Sequence, residues 1–187
     1  MTRTDKRVLA EIEAQPTSGT FTRDADHWVL TMTRVLRHPP ERVWAYLTEP
    51  HLLGKWSPIV PNRALDSCAP AMSRETSDQD PVDAEVLVSD APVELVHRWG
   101  AHVLRWTLQP TEAGSRLTLE HTFEHHAESG SYAAGWHICL AVLATTIDGY
   151  EVERVVGSRA LEYGWSELRD RYEAADTRTT PSRVEHG

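Results

Sequence analysis

The chain of 187 residues has two cysteines, two phenylalanines and no basic run of five or more. Cys68 and Cys139 stand far apart, and Cys139 falls on an apolar helical stripe. That argues against a disulfide framework and for a reducing, cytoplasmic setting. A net charge of −9 without a basic patch argues against nucleic-acid backbones and anionic membrane surfaces as partners. No apolar run approaches the ~18 residues needed to cross a bilayer. Met1-Thr2-Arg3-Thr4-Asp5-Lys6-Arg7 leads into Val8-Leu9-Ala10-Glu11 without an apolar signal core. Membrane insertion is therefore not expected. Neither common Gly-rich phosphate loop is present, and Ser129-Gly130-Ser131 lacks the Gly-x-Ser-x-Gly surroundings of a nucleophile elbow. Nucleotide binding and covalent catalysis have little support, and no cofactor is expected.

What the chain does have is tryptophan, with seven against two Phe. Trp usually buries most of its surface, so these large flat side chains belong either to a packed core or to a cavity wall. Hydrophobic residues at 40% and charged ones at 25% fit a soluble globular protein, and the length suits one domain.

Periodicity orders the elements. Residues 1–24 show little pattern beyond a short helix near Lys6–Ala14. Trp28, Leu30 and Met32 alternate with Thr31 and Thr33 as a half-buried strand, ended by His38-Pro39-Pro40. Glu41–Leu47 reads as a helix opened by the Pro pair. Thr48-Glu49-Pro50 then starts a second short helix carrying Leu52, Leu53 and Trp56, with Thr48 as N-cap. Residues 59–82 hold one irregular or edge strand near Ala71–Thr76. Alternation follows at Ala84/Val86/Val88, Leu95/His97/Trp99, His102/Leu104/Trp106/Leu108 and Leu117/Leu119/His121/Phe123. The short links between these runs, including Thr111-Glu112-Ala113-Gly114, make the strands an antiparallel meander. A long helix over Ser131–Asp148 sets Tyr132, Trp136, Leu140, Leu143 and Ile147 on one stripe, with His137 at its edge and Gly149 as C-cap. A last helix over Ser158–Ala175 carries Leu161, Trp165, Leu168 and Tyr172.

This order describes an α+β helix-grip fold: a curved antiparallel sheet wrapped round a long C-terminal helix, with two short helices after the first strand. The stretch from Arg37 to Pro50, Arg-His-Pro-Pro-Glu-Arg-Val-Trp-Ala-Tyr-Leu-Thr-Glu-Pro, resembles the opening of the birch-allergen/START-like superfamily, SRPBCC. Leu52-Leu53-Gly54-Lys55-Trp56, Asp90-Ala91-Pro92-Val93-Glu94-Leu95, Trp99 and Gly135-Trp136-His137 resemble the branch named after the activator of heat-shock-protein-90 ATPase. The resemblance spans roughly residues 27–150. It departs before Val82, where the Gly-Gly turn of many relatives is missing. The weak pattern of residues 1–25 reads as an N-terminal extension, 26–175 as the START-like domain, and the polar stretch 176–187 as a disordered tail.

The family resemblance further implies a cavity between sheet and helix that takes apolar molecules, and in some members catalyses cyclisation or dehydration. The wall expected here comprises Trp44, Trp56, His97, Trp99, Leu104, Trp106, Leu119, His121, Phe123, Trp136, His137 and Leu140. Binding of a small apolar or amphipathic molecule is the leading reading. A cyclase- or dehydratase-type enzyme using His121 or His137 as acid–base is one alternative, and a chaperone-activator-like interaction module is the other. No histidine has His-x-x-x-His spacing, so no metal is expected. His125-His126 reads as solvated, and Arg105 with Glu120 as an outer-face pair. A second copy would dock on the outer sheet edge or on the 158–175 helix, giving a homodimer.

Overall fold

The computed structural model describes residues 4–179. Asp5 caps α1 (Lys6–Ala14) by accepting from the Arg7 N–H, and the helix buries Val8 and Ile12. A hairpin follows, β1 (Thr20–Asp24) paired with β2 (His27–Leu36). The stretch expected as an N-terminal extension thus supplies a helix against the core and a strand of the main sheet. The short polar β1 is an exposed edge strand paired with β2 and carries little hydrophobic alternation.

After β2 come α2 (Pro40–Thr48) and α3 (Pro50–Leu53), each with proline at its start, where the missing N–H costs nothing. Thr48 does not cap α3: its hydroxyl donates back to the Trp44 carbonyl at 2.9 Å, closing α2 instead. The proline-rich region forms a separate three-stranded sheet of β3 (Val60–Pro61), β4 (Met72–Arg74) and β5 (Val82–Asp83). β6 (Val86–Asp90), β7 (Glu94–Trp99), β8 (His102–Thr111) and β9 (Gly114–Phe123) complete a six-stranded antiparallel sheet in the order β1-β2-β9-β8-β7-β6. The expected alternation at Val86/Val88 breaks, because a bulge between those residues turns Val88 outward. The β8–β9 turn needs glycine. At Gly114 φ is +138°, and a Cβ there would sit 2.2 Å from the Leu36 carbonyl.

The central helix α4 (Ser129–Ile147) is buried nearly all round. With the preceding 3-10 turn it spans His126–Ile147, 22 residues apolar enough to cross a membrane by length and composition, yet 78% of the apolar window is buried inside the protein. The sheet covers one side, and α1 and the final helix cover another. The expected helix over 158–175 is two pieces. A 3-10 segment over Gly157–Tyr163 ends at Gly164, whose φ of +80° breaks the run before α5 (Trp165–Thr179). Leu168 and Tyr172 of α5 are buried against the core, so its apolar face is used inside the chain. Of the expected disordered tail, 176–179 lie in α5 and the rest falls outside the described residues.

Candidate functional site

The concave face of the sheet receives the aromatic side chains its alternation predicts. Trp56, Leu104, Trp106, Leu119, His121, Phe123, Trp136 and Leu140 are buried there, with Trp44 and Trp99 half-buried. They pack on one another. Trp56 meets Trp106 edge to face at 6.0 Å, Trp106 meets Trp136 at 5.4 Å, and Trp136 meets Trp99 at 5.8 Å. Most of the expected cavity wall is therefore a filled core.

The buried histidines have a physical reason to be in it. An indole N–H is a donor only, and burying it unpaired is costly. Trp106 Nε1 donates to His97 Nε2 at 3.2 Å, and His97 Nδ1 in turn donates to the Arg98 carbonyl at 2.9 Å. Trp136 Nε1 donates to His121 Nδ1 at 3.1 Å. That leaves the His121 proton on Nε2, where it donates to His102 Nδ1 at 2.7 Å. Trp136, His121 and His102 thus form a directional chain whose free proton is on His102 Nε2. Burial pushes His97 down to about 4 and His121 down to about 3, the latter helped by neighbouring His102. Burial also lowers His102, against the pull of Glu128 and Glu124. Trp56, lacking a histidine, donates to the Tyr46 carbonyl at 2.9 Å.

His137 does not look into the space between helix and sheet. It points the other way, with Nε2 donating to the Ile12 carbonyl and Nδ1 accepting from Tyr172 Oη, both at 2.9 Å. Buried Arg34 approaches the same Nδ1 at 3.5 Å while its Nε donates to Gln15 at 2.7 Å. One imidazole therefore ties α1, α4, α5 and β2 together, with its titration pushed down to about 4 by burial. His126 is not simply solvated: it lies 4.0 Å from the Trp28 ring and pairs with Asp176 at 2.8 Å. On the outer face Arg105 bridges Glu94 and Glu120, as the alternation implies.

One open space lies at a flank of α4. A pocket of about 290 Å³ is bounded by Tyr132, Gly135, Trp136 and Cys139 of α4, by Trp99 at the end of β7, and by Val155, Ala160 and Trp165. Pro58 and Glu75 also line it. Only Trp99 and Trp136 belong to the wall expected from the sequence; His97 and Trp106 border a smaller void against α2 and α3. Cys139 is a buried thiol held up to about 12 by burial and by Glu75, which disfavours the thiolate form. The Tyr132 hydroxyl donates to Glu128 at 2.9 Å, and burial with that bond raises it to about 12. Among the described residues no three His, Cys, Asp or Glu side chains group as a metal site.

A family model described as "Activator of Hsp90 ATPase homolog 1-like protein" matches residues 37–148, from the first turn before α2 to the end of α4. The chain belongs to that family. The matched span holds the aromatic core and the α4 side of the pocket, while α1, β1 and the covering 155–165 segment lie outside it. No functionally curated protein matches the chain. Solved structures share the fold. A conserved protein of unknown function from Enterococcus faecalis superposes with a TM-score of 0.71 at 15% identity, covering 91% of this chain and 97% of its own. CalU16 from Micromonospora echinospora gives 0.61 at 15% identity, covering 84% and 96%. DynU16, a putative protein of the dynemicin biosynthetic locus, gives 0.59 at 21% identity, covering 67% and 48%. With the sheet and α4 described above, these likenesses make the family's helix-grip architecture the fold of this chain. The sequence did not mark the far wall of the pocket, because Val155, Val156 and Gly157 lie in a stretch without periodicity.

Proposed function

We propose that the protein binds a small apolar or amphipathic molecule in the pocket beside α4. The observation that carries this reading is Gly135. It sits in mid-helix on the pocket wall, and a Cβ added there meets no atom within 4 Å beyond its two chain neighbours and its own helical backbone. Glycine inside a helix costs about 0.5–1 kcal/mol relative to alanine. Here that cost keeps a space open between three indoles. The space is close to the ~300 Å³ lower bound of typical ligand pockets, and its wall of Trp99, Trp136, Trp165 and Tyr132 suits a flat hydrophobic body. The acid–base alternative loses its residues, since neither His121 nor His137 lines this pocket. Native mass spectrometry of freshly purified protein, with solvent extraction, tests the proposal alongside Gly135→Trp. A bound small molecule absent from the variant supports it. Equal occupancy in both proteins refutes the assignment to this pocket.

A further inference from the structure

A second groove, of about 600 Å³, adjoins the apolar pocket, and Glu75 borders both. The groove's lining joins apolar Val60, Met72 and Pro81 to Asn62, Arg74, Thr76, Ser77 and Arg154. Arg154 stands at the seam. The next residue, Val155, lines the apolar pocket, and Arg154 Nη1 donates at 3.0 Å to the carbonyl of Ser57, the neighbour of Pro58, which also lines that pocket. Its Nη2 donates to the Glu75 carbonyl. Both are backbone oxygens, and a guanidinium has five N–H donors. Among the described residues neither Arg154 nor Arg74 lies at ion-pair distance from a carboxylate. The one acidic lining side chain, Glu75, turns its Oε1 to the Gly157 N–H at 3.1 Å. In a protein of net charge −9, the charged lining is two arginines against one glutamate.

We propose that the ligand is an amphipathic anion, its hydrophobic body among Trp99, Trp136 and Trp165 and its acidic group on Arg154 and Arg74 in the adjoining groove. This rests on the reading of the α4 pocket as a binding site. Arginine is suited to the acidic end, because its planar fork takes a carboxylate or related oxyanion through paired hydrogen bonds.

The test uses three probes with one naphthalene body and different ends: 2-naphthylacetate, 2-naphthylethanol and 2-naphthylethylammonium. Each is titrated calorimetrically into the full-length protein at low and high salt. The expected result is carboxylate binding about tenfold or more tighter than the alcohol, the range of one charge-assisted hydrogen bond, with the ammonium weakest. Added salt and Arg74→Gln should each remove most of that advantage and leave the alcohol unchanged. Arg154→Gln should do the same; because Arg154 also holds two carbonyls, the exposed Arg74 decides if that variant does not fold. Carboxylate and alcohol binding equally, or the ammonium binding tightest through Glu75, overturns the anion while the pocket reading stands. Failure of all three to bind overturns both.

Discussion

Gly135→Ala separates the cost of the pocket from the cost of the fold. Position 135 lies within α4, nothing beyond its chain neighbours and own helical backbone approaches the added methyl within 4 Å, and the helix is continuous from Ser129 to Ile147. The propensity gain of about 0.5–1 kcal/mol should therefore be realised without a packing penalty. For a chain of this size each kcal/mol moves the melting temperature by roughly 2–4 °C, so the variant should melt about 1–4 °C higher. The same methyl narrows the space between Trp136 and Trp165, so ligand affinity should fall. Differential scanning calorimetry reads the first effect and ligand titration the second. A lower melting temperature would refute the reasoning, because it would mean that the flank of α4 is packed and the glycine is there to avoid a clash. Higher stability with unchanged affinity would place the ligand elsewhere.

Acid should unfold the protein through its buried imidazoles. His97, His121 and His137 titrate near 4, 3 and 4 when folded, against 6.5 unperturbed, so unfolding takes up protons between those limits. Stability is full above about pH 6.5 and is lost as pH falls, at up to about 4 kcal/mol per pH unit with all three engaged. Urea midpoints across pH 4–8 (roughly the titration range of these groups) check this, and a flat profile would refute it. His137→Ala strands the Ile12 carbonyl and the Tyr172 hydroxyl and should cost about 2–4 kcal/mol, with hydrogen exchange rising first in α1. Tyr172→Phe, which removes one bond of the same node, should cost about 1 kcal/mol. Trp106→Phe should leave His97 Nε2 without its donor and cost about 1–3 kcal/mol beyond the lost packing. Its indole N–H resonance is the one that should vanish from the proton spectrum.

The strands from His102 to Phe123 were legible because period-two alternation fixes both element and face. α4 was legible as a long, largely apolar stretch carrying the stripe Tyr132, Trp136, Leu140, Leu143 and Ile147, although the helix is in fact buried nearly all round. The same rule failed at Val88, where a bulge shifted the face by one residue. It was also silent at β1, whose residues are mostly exposed and gain their strand from pairing alone. In the site, alternation placed His97 and His121 on the inner face but did not reveal that each faces an indole N–H, since partner choice depends on which α4 and β8 side chains meet across the core. His137 was misplaced for a related reason. At a stripe's edge, a helical residue turns toward whichever neighbour covers it, and that neighbour was α1 with α5. The pocket's outer wall comes from an irregular segment that carries no pattern to read.

The indole–imidazole pairs bind the fates of residues distant in sequence. Trp136 and His121 are 15 positions apart, and Trp106 and His97 nine. Losing the donor leaves an imidazole nitrogen stranded in the core, and losing the acceptor strands an N–H. Either change alone is penalised, whereas replacing both members with apolar groups of matching shape is nearly neutral. Among related chains, each Trp should therefore be inherited or discarded together with its histidine. Drift through this core is then a matter of paired steps, and a descendant found with only one partner of a pair should have recruited another group to complete the bond.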